Sequence, residues 1–572
     1  MKSSLLFLML LSTSAQAQRW SGNTSPSYPT LISYLDSLDR KHTDITLYSM
    51  GASDYGLPIY LCVINGLRDS TKTFEKARNG SCILINNAIH AGEPDGINAT
   101  LIWLEQWILA GKPKVDSQGN PLPLIAFIPA YNVGGMMNRS STSRANQNGP
   151  ESYGFRGNAQ NLDLNRDFIK MDAQNTFTFA RIYQALDPDV FIDNHVSNGA
   201  DYQYTLTFIS SLKERLAPSM QQLTYTSCIP TLQAYCQTNS VELFPYVDLK
   251  GETPESGIVA FNDLPRYAMG YASLFHSLSF TVETHMLKPF PERVQATLVF
   301  LNTLISYSMS HAVEIETART AAKNWAQQQG YFYFNYQLDE TQKDRIRFKG
   351  YEANHPVHPI TGLPQLEYDR SKPYERDIPY FHSYQARDSV KIPTSYIVAA
   401  QERDVIARLE ANGVEFRRIE KDSSVSVSIR TITHFAAPNS PYEGHFKLTE
   451  IESELHLRTV LLKPGDLLIP TKQERATFIH TVLQAHTEDS YLSWNFFDSY
   501  LQQKEFFSGY VFIEHVEAIL ENNSELKAAY EHRKQLDAKF AASEWEQLLY
   551  IYQHSPYFEP SYMVLPIYEL AN

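Results

Sequence analysis

An α/β fold is predicted for the first half of this 572-residue chain, and three observations predict it. Short apolar runs such as SCILINNAI, PLIAFIPAYN, DVFIDNHVS and LSFTVETHM are nearly continuous, as expected of strands covered on both faces. Helical patterns such as LISYLDSLDRKH and INATLIWLEQWILAG lie between strand-like runs. Polar residues gather at the ends of the apolar runs, where open α/β sheets place their sites. Strands alternating with helices imply a mixed or parallel sheet.

The elements follow in order between residues 29 and 310. Tyr28-Pro29 precedes the first helix. ITLYSMG and LPIYLCVIN read as strands separated by the turn-rich GASDYG. HAGEPDG breaks the run SCILINNAI, and the helix that follows ends at Gly111. His90, Asn132, His195 and Glu283 each lie at or just after a strand end. That placement can bring residues distant in sequence to one rim.

Residues 311–390 begin as a polar connecting helix. A Pro- and Tyr-rich stretch, NHPVHPITGLPQLEYDRSKPYERDIPYF, then reads as an ordered loop or a linker with short strands. From residue 391 to 572 a C-terminal α/β region is expected, opening with SYIVAA, ERDVIARLEANG and VEFRRIEKD as strand, helix and strand.

Composition bounds the function. The chain is 43% hydrophobic and 20% charged, normal for a globular protein. A net charge of −14 disfavours non-specific nucleic-acid binding, which needs a basic surface. Lys2, the apolar stretch Leu5 to Leu11 and Ala15-Gln16-Ala17 read as a signal peptide over residues 1–17, so a secreted or periplasmic location is expected. No segment reads as a transmembrane span. Cys62, Cys82, Cys228 and Cys236 form no disulfide framework, and the sequence leaves open whether any of them pair.

A hydrolytic zinc site needs three protein ligands and an open position for water. His90 and Glu93 form a His-x-x-Glu pair in a turn that Gly92 and Pro94 keep from being helical. Alone, such a pair is usually two solvated polar residues. His195, at the polar end of a second strand, completes a His₂Glu set. His355 and His358 also stand three apart, and a second metal there is the weaker reading.

HAGEPDG, GFRGNAQNLDLNRDF, DNHVS and FTVETHM, in that order, resemble the motifs of the zinc metallocarboxypeptidases, over roughly residues 29–310. NLDLNRDF is the most specific, close to that family's Asp-x-Asn-Arg signature. The resemblance implies a three-layer α/β/α sandwich with a mixed sheet over residues 18–310, and one Zn²⁺ per chain held by His90, Glu93 and His195. It makes Asp163 the carboxylate that orients the first ligand histidine, and Arg156 the group that polarises the scissile carbonyl. Asn165 and Arg166 would grip the free C-terminal carboxylate of a peptide substrate, and Glu283 would be the general base. The family's substrate-closing tyrosine has no secure match; Tyr267 and Tyr271 are the available residues. Two other readings stand beside this one: an amidohydrolase, deacylase or muropeptide peptidase on the same fold, and a catalytically silent peptide-binding protein.

Overall fold

A computed structural model describes residues 20–570, so the expected signal peptide lies outside the described residues. Eight strands form the main sheet: β1 (Ile45–Ala52), β2 (Pro58–Ile64), β3 (Cys82–Asn86), β4 (Leu124–Ile128), β5 (Val190–Ser197), β6 (Leu206–Ser210), β7 (Leu243–Pro245) and β8 (Leu278–His285). Their spatial order is β1-β2-β4-β3-β5-β8-β6-β7. The central strands β4, β3, β5 and β8 run parallel, whereas β1, β2 and β6 introduce antiparallel pairings, so the sheet is mixed. Every residue of β3, β4 and β5 is buried, which explains their unbroken apolar runs.

Alternation along β5 builds the three layers. Phe191 packs its ring on Tyr183 and Phe179 of the helix Gln174–Leu186. Asn194 points to the opposite face, against Gly96 in the helix Asp95–Leu109. A Cβ at Gly96 would lie 2.4 Å from Asn87 Oδ1 and 2.5 Å from Asn194 Cβ, so only glycine lets this helix approach the sheet. The helix Phe290–Ser310 packs on the same side, with Phe300 against Phe280 of β8.

The Pro- and Tyr-rich stretch is not a linker. Strand Asp344–Asn354 pairs antiparallel with the fifteen-residue strand Glu367–Phe381. The latter also pairs parallel with Ile258–Val259, which joins it to the first half of the chain. Pro373, a residue disfavoured inside a strand, lies opposite Tyr351, where the ladder shifts register. Beyond it, six antiparallel strands make the C-terminal sheet, in the order Arg417–Arg418, Leu467–Pro470, Ser395–Val398, Val564–Leu570, Ser423–Ala436 and Thr449–Leu462. All four cysteines are buried free thiols. Among the described residues no helix is long and apolar enough to cross a membrane.

One buried ion pair locks the site turn to the helix layer. Arg293 is fully buried and donates through Nε to Asp95 Oδ1 at 2.8 Å, and through Nη1 to the carbonyls of Asn148 and Lys288 at 2.9 and 2.8 Å. Removing one partner of such a pair strands the other charge away from water. Arg293→Ala should therefore lower the unfolding free energy by about 3–5 kcal/mol. Urea denaturation checks this, and a loss below about 1 kcal/mol would show that Asp95 finds other compensation.

Candidate metal centre and active site

The site forms where β3, β5 and β8 end side by side. The chain leaving β3 turns at once, with the Glu93 N–H donating to the His90 carbonyl at 2.9 Å, so both side chains face the same point. In the parallel pairing of β5 with β8, His195 lies directly beside Glu283. Sheet register thus joins groups that the chain separates widely.

His90, Glu93 and His195 converge, and all three are buried. His90 Nδ1 lies 3.2 Å from His195 Nδ1 and 3.2 Å from Glu93 Oε1, and His195 Nδ1 lies 3.2 Å from Glu93 Oε2. Each ring turns its other nitrogen to a carboxylate. His90 Nε2 meets Asp163 Oδ1 at 3.0 Å, and His195 Nε2 meets Asp193 Oδ2 at 2.6 Å. With Nε2–H donating to the acid, each Nδ1 presents a lone pair toward Glu93. Converging lone pairs on two nitrogens and a carboxylate suit a divalent cation of borderline softness, and Zn²⁺ fits this donor set. It is the only such cluster among the described residues; His355 instead pairs with Glu252 on the surface.

Asp193 was not singled out in the sequence, although its place two residues before His195 in a strand puts both on one face. Arg144 was missed too, and a loop position offered no signal for it. Its Nη1 lies 2.9 Å from Glu93 Oε1. Arg156 reaches the same oxygen at 3.7 Å, while its Nε and Nη2 hold Asp163 Oδ2 at 3.0 and 2.9 Å.

Asn165 and Arg166 line the cavity in front of this cluster, as do Tyr267 and Glu283. Asn165 Oδ1 accepts the Ala268 N–H at 2.9 Å, and the Arg166 guanidinium lies 4.6 Å from the centre of the Tyr267 ring. Tyr271 is elsewhere, fully buried and donating to Asn412 Oδ1 at 2.6 Å, so of the two tyrosines only Tyr267 faces the cavity. Asn132 holds the loops together, donating to the Ile89 and Arg156 carbonyls. The cavity is about 410 Å³, and Ile209, Tyr246, Phe261, Asp263 and Met269 form its far wall.

The charges are strongly coupled. Burial pushes the Glu93 carboxyl up, but His90, Arg144 and His195 outweigh it and hold the group well below the ordinary carboxylate range. Burial also works against a positive His195, yet Asp193 and Glu93 raise it well above an ordinary histidine. The field that favours a positive ring equally favours a cation at Nδ1. Glu283 goes the other way: burial raises it to about 8, with His195 opposing and Glu93 and Asp193 reinforcing. Its Oε2 is buried without a hydrogen-bond partner.

Several known proteins resemble this chain. A profile described as zinc carboxypeptidase matches residues 31–217. Carboxypeptidase 2 of Trichophyton tonsurans is 21% identical over 438 residues, covering 72% of this chain and 73% of the relative. Carboxypeptidase 2 of Trichophyton rubrum is 21% identical over 437 residues, with the same coverage of 72% and 73%. A metallo-carboxypeptidase structure from Burkholderia cenocepacia aligns with a TM-score of 0.35 and 16% identity, over 51% of this chain and 70% of that one.

Carboxylates that orient ligand histidines typically contribute 10–100-fold to metal affinity. Asp193→Ala should weaken zinc binding by about that factor while leaving the circular dichroism spectrum unchanged. Chelator competition measures it, and wild-type affinity in the variant would remove Asp193 from the site.

Proposed function

Since the chain belongs to the zinc metallocarboxypeptidase family, we propose that it removes the C-terminal residue from peptides at the cluster of His90, Glu93 and His195. The observation that carries this reading is the free, buried Oε2 of Glu283 at the edge of the metal-binding cluster, facing the same cavity as Asn165 and Arg166.

Zinc held by His90, Glu93 and His195 would supply a water acidified toward pKa ~7 and a positive charge favouring ionised Glu283. Glu283 then accepts a proton from the attacking water and returns it to the leaving amine. Arg156, with Arg144 beside it, offers guanidinium donors for the charge that grows on the carbonyl oxygen. Arg166 meets the substrate carboxylate with its planar fork, and Asn165 supplies an amide donor next to it. Tyr267 steadies Arg166 through its ring face. The terminal side chain enters the space bounded by Ile209, Tyr246, Phe261 and Met269.

On this reading residues 18–310 form the catalytic unit, followed by the connecting segment 311–390 and the C-terminal region 391–572. The leader-like residues 1–17 support export to the periplasm or beyond.

Two measurements test the proposal together. Glu283→Gln should lower kcat by about 10²–10⁴-fold, the usual contribution of a positioned acid–base group, while zinc content stays at the wild-type level. Free-acid peptides should be shortened and carboxyl-amidated ones spared. Unchanged turnover in Glu283→Gln would remove the base from the mechanism. Equal cleavage of amidated peptides would instead favour the amidohydrolase reading.

A further inference from the structure

The turn that carries Asp163, Asn165 and Arg166 is held from outside by the C-terminal region. The Asp163 side chain is fully engaged: Oδ1 takes His90 Nε2 and the Asn165 N–H, and Oδ2 takes Arg156. Its backbone N–H donates to Glu443 Oε2 at 2.8 Å. Glu443 is 280 positions further along the chain.

Glu443 is displayed by an unusual turn. The Tyr442 N–H donates to the His445 carbonyl at 2.7 Å, and the His445 N–H returns the bond at 3.1 Å, which closes a two-residue hairpin. Both central residues have positive φ, +49° at Glu443 and +84° at Gly444. Two-residue hairpins of this kind prefer Asn, Asp or Gly at the first central position. A glutamate there goes against local preference, and such violations persist where the surroundings or the function require them.

The hairpin is anchored at both ends of the segment it supports. His445 Nε2 meets Asp172 Oδ2 at 2.7 Å, and the buried Lys170 meets the same oxygen at 2.7 Å. From the same C-terminal region, Arg408 donates to the Lys170 and Met171 carbonyls. Arg266, next to Tyr267, is held by Asp489 at 2.9 Å.

We infer that Glu443 is a positioning residue for the metal centre: by holding the Asp163 backbone it fixes the carboxylate that orients His90. This rests on the reading that His90, Glu93 and His195 bind zinc. The full-length protein tests it by chelator competition for zinc, with Glu443→Ala and Glu443→Gln compared.

Glutamine keeps an acceptor oxygen at the same reach and alanine does not. Glu443→Ala should raise the zinc dissociation constant about 10-fold, as loss of outer-shell support does, and Glu443→Gln should stay within about 3-fold of wild type. KM for a free-acid peptide should rise in the alanine variant alone, because Asn165 and Arg166 share the turn. Wild-type zinc affinity in Glu443→Ala would overturn the inference while leaving the metal centre intact. So would an equal loss in both variants accompanied by a lower unfolding temperature, which marks a merely structural role. A wild-type protein that binds no zinc would overturn the metal reading itself, and this inference with it.

Discussion

Two carboxylates decide what this site can be. Asp163 and Asp193 each take one nitrogen of a histidine, and the other nitrogen of each ring is thereby turned toward Glu93. Without them His90 and His195 would be two buried imidazoles free to choose tautomer and rotation. With them, three buried donor atoms face one another, where charge is costly to leave uncompensated. Burial lifts Glu283 out of the ordinary carboxylate range, to about 8, and the negative charges of Glu93 and Asp193 reinforce it against His195. His90, Glu93, His195 and Glu283 are therefore one electrostatic unit.

The sheet makes that unit possible. β3, β5 and β8 are parallel neighbours, so their carboxyl ends open on one rim, and the register places His195 beside Glu283. The helix Asp95–Leu109 starts directly behind the ligand turn, and Gly96 lets it close onto Asn194. Asp95, tied to Arg293 and to Thr284 of β8, fastens this turn to the strand that carries Glu283.

Much of this was legible in the sequence, for a physical reason. Buried parallel strands are largely apolar, so polar residues near their carboxyl ends stand out: His90 follows β3 by four residues, and His195 and Glu283 lie two residues before the ends of β5 and β8. What lay hidden depends on contacts that no local pattern encodes. Arg144 reaches the ligand carboxylate from an irregular loop. Glu443 reaches Asp163 across 280 residues. The long strand Glu367–Phe381 was masked by its own prolines, which usually mark loops and here sit along an exposed ladder with a register shift. Nor does any local pattern show that Arg408 and His445 of the C-terminal region bond to residues 170–172, just after Arg166, or that Asp489 bonds to Arg266 beside Tyr267.

The account stands on the claim that His90, Glu93 and His195 bind a metal ion, and elemental analysis of the purified protein beside a His195→Ala variant tests it most directly. About one zinc per chain in the wild type, lost in the variant while the fold is retained, is the result the geometry predicts. A wild-type protein that takes up no stoichiometric metal even when supplied with zinc would contradict it, and would leave a carboxypeptidase fold serving as a binding protein.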